Sequence, residues 1–457
     1  MRAVIMAGGK GTRLAAVNDD MPKPMFPVCG KPILEYQIES LVRSGINDIT
    51  LIVGHLKEVV IQYFGDGQKF NVNIDYIEEN EPLGTAGALY YLKNESDDFF
   101  LIFGDLILDI DFTRFMRFHK DHNAQITLFG HPNSHPYDSD VIQIDENDRV
   151  TGILNKKVPR GFYYHNFVNA GVYCVSPRAL DGIETPEKMD LEKNLIAGLL
   201  IQGRVYAYKS TEYVKDMGTP DRLSAVSLDV ENGVVSGRSL KNKQKAIFLD
   251  RDGTINEYVG FLKNIEDFKL LSKVSEAIAK INTSSYLTIV ATNQPVIARG
   301  EVTFEELDQI HMKMETELGK NGAYLDDIFF CPHHPHRGYE GEIEELKIEC
   351  DCRKPKIGML KKAVAKFNID LSQSWYIGDT TIDIQTGKNA GMKTVLVQTG
   401  EAGNDCKYDV RPDYIASDLL SAVNYILGLK NLAERENGRV EDEGLFERTR
   451  KLPSSRD

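Results

Sequence analysis

The sequence predicts an α/β fold made of two domains, each built around a parallel sheet with helices on its faces. Two short apolar runs, residues 2–6 and 246–249, end in a glycine-rich loop and in a pair of carboxylates, respectively. After each run, strand-like and helix-like stretches alternate, which is typical of a parallel, helix-flanked sheet. The runs lie about 240 residues apart, and a chain of 457 residues exceeds what one hydrophobic core holds. The predicted division is a first domain at 1–230, a linker at 231–244, a second domain at 245–430 and a charged tail at 431–457.

Composition and charge narrow the class of partner. Hydrophobic residues make up 42% of the chain and charged residues 27%, as is ordinary for a soluble globular protein. The net charge of −14 argues against non-specific binding to nucleic acid, which needs a basic face. No apolar run approaches the length of a membrane span, and the run at 4–7 is too short for a signal peptide. We expect a cytoplasmic protein that acts on small molecules, with no nucleic-acid or membrane partner, and a homo-oligomer stays open.

The first half of the chain alternates between the two hydrophobic periodicities. Prolines exclude a helix directly after the first loop, at residues 21–27. Beyond the strand at 2–6, strands are predicted at 48–53, 72–77 and 99–103, and helical stretches at 33–42, 55–64 and 85–92.

The loop after the first run has the composition of a phosphate-binding loop. Gly8, Gly9 and Gly11 let backbone N–H groups approach a ligand closely. Arg13 adds a positively charged fork, and the combination suits a triphosphate. The spacing fits neither the Walker A motif nor G-x-G-x-x-G, and a plain turn is the alternative interpretation of the glycines. Lys23 favours a functional site, because neighbouring prolines stiffen the segment that would hold its ammonium group against a phosphate.

Two carboxylates, Asp105 and Asp216, are candidate ligands for a divalent cation. Asp105 follows the apolar run at 99–103, and Asp216 comes from a distant segment. Carboxylates from two segments can hold one Mg²⁺, which takes its remaining ligands from water and phosphates. For each residue taken alone, a solvated surface charge is the alternative.

Six short motifs occur in the order found in one enzyme family. They are AGGKGTRL (7–14), MPKPM (21–25), EPLGTAGA (81–88), GD (104–105), NAGVY (169–173) and KDMGTP (215–220). With them, the first domain resembles the sugar-1-phosphate nucleotidyltransferases. The resemblance implies a Rossmann-like, GT-A-like domain that joins a nucleoside triphosphate to a sugar 1-phosphate and releases pyrophosphate.

The same resemblance implies a role for individual residues. Asp105 and Asp216 would ligate Mg²⁺, and Lys23 would touch the α-phosphate. Asn169 would meet the sugar and Lys156 its phosphate. The residues implied at the triphosphate and the base are Gly8, Gly9, Gly11, Thr12, Arg13, Gly84 and Thr85.

One departure from the family pattern concerns the sugar. The usual Glu-Lys pair reads Asn155-Lys156 here, which would signal an altered sugar specificity.

The second half predicts another sheet of alternating elements. After the strand at 246–249, strands are predicted at 286–291, 327–330, 374–377 and 394–397, and helices at 274–281, 304–318, 357–367 and 419–429.

An ordered set of polar residues falls at or near the ends of these strands. Its members are Asp250, Asp252, Thr292, Lys354, Asp379 and Asp383. Hydrolysis of a phosphate ester through a carboxylate needs a nucleophile and a second acid for the leaving oxygen. It also needs a hydroxyl and an ammonium group for the phosphoryl oxygens, and carboxylates that hold Mg²⁺. For a single aspartate at a strand end, a helix cap is the alternative interpretation.

The ordered set resembles the haloacid dehalogenase (HAD) phosphatase superfamily over roughly residues 245–427. The resemblance implies that Asp250 is the nucleophile and that Asp252 is the general acid and then the base. Thr292 and Lys354 would bind phosphate. The implied Mg²⁺ ligands are Asp250, the backbone carbonyl of Asp252, and Asp379, with Asp383 orienting the site from behind.

A Cys/His segment precedes Lys354. Cys331 and His333 are spaced by one residue, as are Cys350 and Cys352. Three thiolates and an imidazole form a closed tetrahedral Zn²⁺ set. His333 fits best, although two further histidines, His334 and His336, stay open as ligands. A loop of reduced cysteines is the alternative.

Together with DRDGTIN, TNQPVIARG and CDCRKP, this segment resembles the zinc-containing heptose 1,7-bisphosphate phosphatases, to which histidinol-phosphate phosphatases are related. The resemblance implies a structural zinc ion. It also implies that Asn293, Arg299 and Arg353 contact the substrate. Pro295-Val296 departs from the Ser-Gly that relatives often carry.

The two resemblances connect, because a heptose bisphosphate phosphatase yields the heptose 1-phosphate that a nucleotidyltransferase consumes. The leading hypothesis is a bifunctional enzyme of nucleotide-activated heptose synthesis that uses GTP, for lipopolysaccharide, capsule or S-layer glycans. The first alternative is a mannose-1-phosphate guanylyltransferase, or another NDP-sugar pyrophosphorylase, fused to a histidinol-phosphate-type phosphatase. The second is that one domain is a non-catalytic regulatory module, which the intact residue sets in both halves disfavour.

Overall fold

The computed structural model describes residues 1–9 and 21–429. Gly11, Thr12, Arg13 and the charged tail at 431–457 lie outside the described residues.

The first domain alternates strands and helices. Its strands are β1 (Arg2–Met6), β2 (Pro27–Val28), β3 (Lys31–Pro32), β4 (Asp48–Val53), β5 (Asn73–Glu78), β6 (Phe99–Phe103), β7 (Leu106–Asp109), β8 (Ile126–His131), β9 (Val141–Ile144), β10 (Val150–Leu154), β11 (Val168–Val175), β12 (Val205–Lys209) and β13 (Tyr213–Asp216). Its α-helices are α1 (Ile33–Arg43), α2 (Lys57–Phe64), α3 (Phe112–Asp121), α4 (Ala197–Leu200), α5 (Pro220–Glu231) and α6 (Val234–Gly237). A π-helix covers Leu191–Ile196, and 3₁₀ turns cover Lys23–Met25, Gln68–Phe70, Gly87–Leu92, Pro136–Asp138 and Pro177–Leu180.

The second domain follows the same alternation. Its strands are β14 (Lys245–Leu249), β15 (Tyr286–Asn293), β16 (Asp327–Cys331), β17 (Trp375–Gly378), β18 (Lys393–Val397) and β19 (Tyr414–Ala416). Its α-helices are α7 (Val274–Asn282), α8 (Phe304–Lys320), α9 (Gly358–Phe367), α10 (Thr381–Asn389) and α11 (Leu419–Ile426). Short 3₁₀ turns cover Ile265–Asp267, Glu344–Leu346 and Leu371–Gln373.

The main sheet of the first domain is mixed. Its order is β10-β9-β11-β6-β1-β4-β5, and β8 pairs with both β11 and β12. The strands β6, β1, β4 and β5 are parallel, as predicted, whereas β11 runs antiparallel to β6, β8 and β9. The expectation of a wholly parallel sheet is therefore wrong for this half, because antiparallel pairs such as β9 and β10 need no crossover helix between them.

The second sheet is parallel throughout the described residues, in the order β16-β15-β14-β17-β18-β19. The central strand β14 is buried on both faces, so its apolar residues, such as Ile247 and Phe248, have no exposed surface. All six strands end at the same edge of the sheet. The α/β class is thus confirmed in both halves.

Most predicted elements occur within three residues of their expected bounds. The exception is 85–92, which forms a 3₁₀ turn rather than an α-helix. Here Gly87 packs so closely on the chain that an added Cβ would lie 2.0 Å from the carbonyl oxygen of Glu187. Tertiary contact thus decides the local conformation.

The segment at 231–244 is packed between the domains. Leu240 joins the core of the second domain, and its N–H donates to Oε1 of Glu212 in the first, at 2.9 Å. Arg238 is buried, with Nη1 3.4 Å from Oδ1 of Asp326. The connecting segment therefore contacts both domains directly.

Among the helices of residues 1–9 and 21–429, none is long and apolar enough to cross a bilayer.

Candidate active sites

Three carboxylates and one lysine meet at the carboxyl edge of the second sheet. Asp250 follows β14, Asp379 follows β17, and Asp383 lies in the first turn of α10. One oxygen from each lies within 4.8 Å of the others. The ammonium group of Lys354 lies 2.8 Å from Oδ1 of Asp250 and 2.6 Å from Oδ1 of Asp383. All four residues are buried. The cluster thus sets one positive charge, that of the Lys354 ammonium, against three carboxylates.

The electrostatics of this cluster call for a further cation. Burial raises the pKa of Asp379 to about 8, and the charges of Asp383 and Asp250 act in the same direction. Burial also raises the pKa of Asp250 to about 6, against the opposing charge of Lys354. In addition, Oδ1 of Asp379 is buried without a hydrogen-bond partner among the described residues. Buried carboxylate oxygens of this kind are the ligands that Mg²⁺ prefers.

Gly253, in the DRDG motif, lets the chain pass directly over Asp379. A Cβ added to Gly253 would lie 2.2 Å from Oδ2 of Asp379, and its φ of +79° is also strained for other residues. The glycine of the motif is therefore required by the position of the carboxylate.

Asp252 is held by a network that the sequence does not reveal. Arg251, which is fully buried, donates to both carboxylate oxygens, with Nη2 at 3.0 and 2.9 Å. Nε2 of Gln294 donates to Oδ2 at 3.0 Å, and Nδ2 of Asn256 to Oδ1 at 3.1 Å. Behind them, Nη1 of Arg251 lies 3.4 Å from Nε2 of His311 on α8. Arg251 lies within the DRDGT motif and Gln294 within TNQ. These motif positions were the sequence signal that could have identified both residues as part of the site.

The predicted phosphate-binding residues lie together beside the carboxylates. Thr292 is buried at the end of β15, where its hydroxyl accepts from Gln294 at 3.0 Å. The Asn293 side chain pairs with the backbone of Lys354, accepting from its N–H at 3.0 Å and donating to its carbonyl at 3.3 Å. This pair positions the buried lysine relative to β15.

The Cys/His segment folds back on itself to form one cluster. The sulfur of Cys331 lies 3.6 Å from that of Cys350 and 3.2 Å from that of Cys352, and the two latter sulfurs are 3.4 Å apart. Nδ1 of His333 lies 3.6 Å from the Cys331 sulfur and 3.3 Å from the Cys352 sulfur. All three cysteines are free thiols. A tetrahedral zinc site with Zn–S bonds of about 2.3 Å has sulfur–sulfur distances of about 3.8 Å, so the donor set fits Zn²⁺.

The remaining histidines of the segment point elsewhere. Nε2 of His334 lies 3.3 Å from Nη2 of Arg299, and Nδ1 faces the carbonyl of His336 at 3.2 Å. The Arg299 guanidinium lies over the rings of Phe261, at 4.1 Å, and Tyr339, at 4.6 Å. Those two rings have no motif of their own in the sequence.

Arg353 lies between the Cys/His cluster and the lysine site. Its N–H donates to the sulfur of Cys350 at 3.3 Å, and its Nη1 donates to the carbonyl of His333 at 3.2 Å. The cluster thus fixes the backbone directly before Lys354.

In the first domain, the predicted cation ligands and Lys23 come together at the end of β6. The Lys23 ammonium group contacts Oδ2 of Asp105. The carbonyl of Asp105 accepts from the N–H of Met217, which places Asp216 next to it. Nη1 of Arg222, on α5, donates to both oxygens of Asp216, at 2.7 and 2.5 Å. Burial alone would raise the pKa of Asp216, but the pairing with Arg222 holds that pKa below its usual range.

The two predicted glycine loops take different positions. Gly8 follows β1 so tightly that an added Cβ would lie 2.5 Å from Oε2 of Glu79, and Gly9 is open to solvent. Gly84, with φ of +76°, packs against the carbonyl of Met189. Next to it, Oγ1 of Thr85 accepts from the N–H of Leu191 at 2.8 Å. Gly84 and Thr85 thereby fix the start of the π-helix.

That π-helix carries a residue that sequence reasoning missed. Nδ2 of Asn169 donates to Oε1 of Glu192 at 2.6 Å and to the hydroxyl of Tyr173 at 2.8 Å. Burial raises the pKa of Glu192, and the charge of Asp140 acts in the same direction, while Lys156 opposes it. Glu192 therefore supplies a carboxylate beside Asn169 and Lys156, where this chain has Asn155 in place of the glutamate of the family's Glu-Lys pair. The sequence signal for Glu192 was weak: it lies in the first turn of a helix, next to the acidic N-cap Asp190.

Comparisons with known proteins assign a family to each half. The sequence model of the family described as Nucleotidyl transferase matches residues 2–233, just over half of the chain, and that described as HAD-hydrolase-like matches residues 351–422. The fold and the two sites thus define an enzyme with a nucleotidyltransferase domain and a HAD phosphatase domain. The chain belongs to the nucleotidyl transferase family and, through its second half, to the HAD phosphatases.

Named relatives cover the two halves separately. The D-glycero-beta-D-manno-heptose-1,7-bisphosphate 7-phosphatase of Haemophilus ducreyi is 38% identical over 185 residues, which are 40% of this chain and 98% of that protein. The mannose-1-phosphate guanylyltransferase of Mycobacterium tuberculosis is 30% identical over 243 residues, 52% of this chain and 67% of that protein. Among solved structures, HddC from Yersinia pseudotuberculosis complexed with GMP-PN is 27% identical with a TM-score of 0.44, covering 50% of this chain and 99% of that one.

Proposed function

We propose that this chain is a bifunctional enzyme of nucleotide-activated heptose synthesis. Its second domain removes the 7-phosphate from D-glycero-D-manno-heptose 1,7-bisphosphate, and its first transfers GMP from GTP to the resulting heptose 1-phosphate. The observation that carries the proposal is the presence of both residue sets in one chain whose relatives are named a heptose bisphosphate 7-phosphatase and a sugar-1-phosphate guanylyltransferase. The product of the one reaction belongs to the substrate class of the other.

In the phosphatase site, Asp250 attacks phosphorus through Oδ2. Its Oδ1 is already engaged by the Lys354 ammonium at 2.8 Å and by the Arg251 N–H at 2.7 Å. As the phosphorus–oxygen bond to the sugar breaks, Asp252 gives the leaving oxygen a proton. Asp252 then takes a proton from water, whose oxygen displaces Asp250 from phosphorus and releases phosphate. Thr292 and Lys354 hold the phosphoryl oxygens throughout.

Two metal ions fit the second domain. Asp250, Asp379 and the main-chain carbonyl of Asp252 would hold Mg²⁺, which offsets the repulsion between the carboxylates and the phosphate. Cys331, His333, Cys350 and Cys352 would hold a structural Zn²⁺ that orders the loop before Arg353.

In the transferase site, the sugar phosphate is already an anionic nucleophile. It forms a bond to the α-phosphorus while the bond to pyrophosphate breaks, so the protein's task is alignment and charge neutralisation. Lys23, whose ammonium group contacts Asp105, would touch the α-phosphate, and Asp105 and Asp216 would hold Mg²⁺. At the sugar hydroxyls, the amide of Asn169 would donate and the carboxylate of Glu192 would accept hydrogen bonds. Because nucleoside triphosphates and sugar phosphates are cytoplasmic metabolites, we propose the cytoplasm as the place of both reactions.

The decisive experiment identifies the product by mass. Purified protein is incubated with Mg²⁺, heptose 1,7-bisphosphate and a mixture of nucleoside triphosphates, and GDP-heptose is the expected product. Asp250→Asn should stop phosphate release and leave transfer to added heptose 1-phosphate intact, while Lys23→Ala should do the reverse. If the wild-type protein releases no phosphate from heptose 1,7-bisphosphate, the phosphatase assignment fails.

A second candidate keeps both chemistries and changes the sugar. The relative named mannose-1-phosphate guanylyltransferase favours mannose 1-phosphate as the acceptor. A histidinol-phosphate-type phosphatase would accompany it. Comparing kcat/KM for mannose 1-phosphate and heptose 1-phosphate, and for histidinol phosphate and heptose bisphosphate, separates the two candidates.

A further inference from the structure

Helix α8 of the phosphatase domain packs on residues 133–169 of the transferase domain, which we term the sugar-side segment. The hydroxyl of Thr316 accepts from the N–H of Tyr164 at 2.9 Å and donates to its carbonyl at 3.0 Å. One helical turn further on, a Cβ added to Gly319 would lie 2.6 Å from Cγ of Pro136. The helix therefore contacts the segment directly at two points, through the Thr316 hydroxyl and at Gly319.

A charged bridge reinforces this contact. Nδ1 of His165 lies 2.5 Å from Oε2 of Glu315, and Nε2 lies 3.0 Å from Oδ1 of Asp308. Burial alone would lower the pKa of His165, but the two carboxylates outweigh it and raise the pKa to about 10. His165 is therefore an imidazolium held by two carboxylates of the other domain, and Glu315 is itself buried.

The sugar-side segment fixes the groups that face the sugar phosphate. The carbonyl of Asp140 accepts from the N–H of Asn169 at 3.1 Å, and Oδ1 of Asp140 accepts from the N–H of Lys156 at 2.8 Å. Arg160 connects the same turn internally, because it donates to the carbonyls of Pro136 at 2.8 Å and of Ser139 at 2.5 Å. His165 and Pro136 thus belong to the same hydrogen-bonded segment as the backbone of Asn169 and Lys156.

We propose that α8 of the phosphatase domain is part of the support of the transferase's sugar-phosphate site, with His165 as the positioning residue. The inference rests on the proposed function, since it assumes that Asn169 and Lys156 face a sugar 1-phosphate. It assigns the phosphatase domain a second role, in which it keeps the acceptor side of its neighbour in place. The nucleotide side, around Lys23 and Gly8, makes none of the contacts described for α8.

The test uses full-length His165→Gln and Glu315→Gln variants and their double mutant. Initial rates of pyrophosphate release are measured with GTP and with heptose 1-phosphate, and in parallel with mannose 1-phosphate. We expect the KM for the sugar 1-phosphate to rise about tenfold, within the range of typical coupling between sites. kcat, the KM for GTP and phosphatase activity should change less than about twofold. The double mutant should resemble the single variants, because each single substitution already removes the His165–Glu315 pair.

Lys209→Met is the matched control. It breaks another interdomain ion pair, between Lys209 of β12 and Asp327 of β16 at 2.8 Å, that does not involve the sugar-side segment. Its sugar KM should equal that of the wild type, and hydrogen exchange in peptides covering 133–169 should quicken in His165→Gln and Glu315→Gln but not in this control. An unchanged sugar KM in His165→Gln, or an equal rise in Lys209→Met, would overturn the inference. A wild-type protein that transfers no nucleotide to any sugar 1-phosphate would instead overturn the proposed function.

Discussion

The guanidinium of Arg251 donates three hydrogen bonds of 2.9 to 3.2 Å to the carboxylate of the next residue in the chain, Asp252. The arginine has no exposed surface, and Gln294 contacts both side chains. A group that transfers protons has to stand at a fixed distance from the leaving oxygen, and misplacement by about 1 Å can cost about 100-fold in rate. In the proposed mechanism Asp252 is the group that transfers protons, so Arg251 would set its position without touching phosphorus.

We predict that Arg251→Met lowers the phosphatase kcat by about 100-fold and leaves the KM nearly unchanged. The reason is that Asp252 keeps only its amide partners, Gln294 and Asn256, and loses its fixed orientation. Phosphate release from the bisphosphate measures the effect, and nucleotidyl transfer by the same preparation serves as the folding control. Equal loss of both activities would mean that Arg251 supports the fold rather than the reaction.

The Cys/His cluster predicts one bound zinc ion per chain. Cys350→Ser removes one of three thiolates, so elemental analysis should show loss of zinc, and the phosphatase rate should fall about tenfold or more. The physical reason is that the backbone of Arg353 is fixed by the cluster and leads directly into Lys354. Nucleotidyl transfer should persist.

Exposed cysteines provide the matched control for that experiment. Cys29→Ser and Cys406→Ser change free thiols at the surface, so both variants should keep zinc and both activities. Full zinc content in Cys350→Ser would show that the cluster does not bind the metal as proposed.

In the proposed transferase site, Arg222 and a divalent cation would compete for the carboxylate of Asp216. Both oxygens of Asp216 accept from Nη1 of Arg222, and charge-assisted hydrogen bonds of this kind contribute about 1.5–3 kcal/mol. We therefore predict that Arg222→Met lowers the Mg²⁺ concentration for half-maximal transfer by about tenfold. A Mg²⁺ titration of pyrophosphate release measures it, with Arg222→Lys as the variant that keeps the charge. A lower kcat at an unchanged Mg²⁺ requirement would show that Arg222 binds the phosphates instead.

The sequence carries the framework of the fold because the relevant signals are local. Apolar runs such as 246–249 identify the buried strands, and the carboxylates after them mark the sheet edge. The close spacing of Cys331 and His333, and of Cys350 and Cys352, is also a local signal, and each pair supplies two donors of the cluster. The parallel core of each sheet was predictable in this way.

Contacts between distant segments could not be predicted from the sequence. Glu192 meets Asn169 across 23 positions through a π-helix that no periodicity indicates. An arginine between two aspartates shows that charge is present, but the choice of Asp252 as the partner of Arg251 depends on side-chain packing. The antiparallel pairs of β8 to β11 could not be predicted, because strand patterns alone do not fix direction. A short turn joins β9 and β10, whereas β11 pairs with β8 and β6 across long stretches of chain.

The interdomain bridge at His165 predicts a pH dependence of stability. An unfolded histidine has a pKa near 6.5, and in the folded chain the carboxylates of Glu315 and Asp308 outweigh burial and raise it to about 10. The folded state therefore binds more protons between these values, so the stabilisation is complete below about pH 6.5 and is lost as the pH rises through about 10. The difference in melting temperature between the wild type and His165→Gln should be largest at about pH 6 and should shrink steadily toward about pH 10.

Asp327→Asn is the control for this titration. Against the effect of burial, Lys209 and Lys366 lower the pKa of Asp327 to about 2, so its carboxylate stays ionised from about pH 6 to about pH 9. The melting temperature of Asp327→Asn should thus remain below that of the wild type by a constant amount over this range, while the gap for His165→Gln narrows. If the two gaps change in parallel, the pH dependence belongs to the interface as a whole, and His165 is not the titrating group.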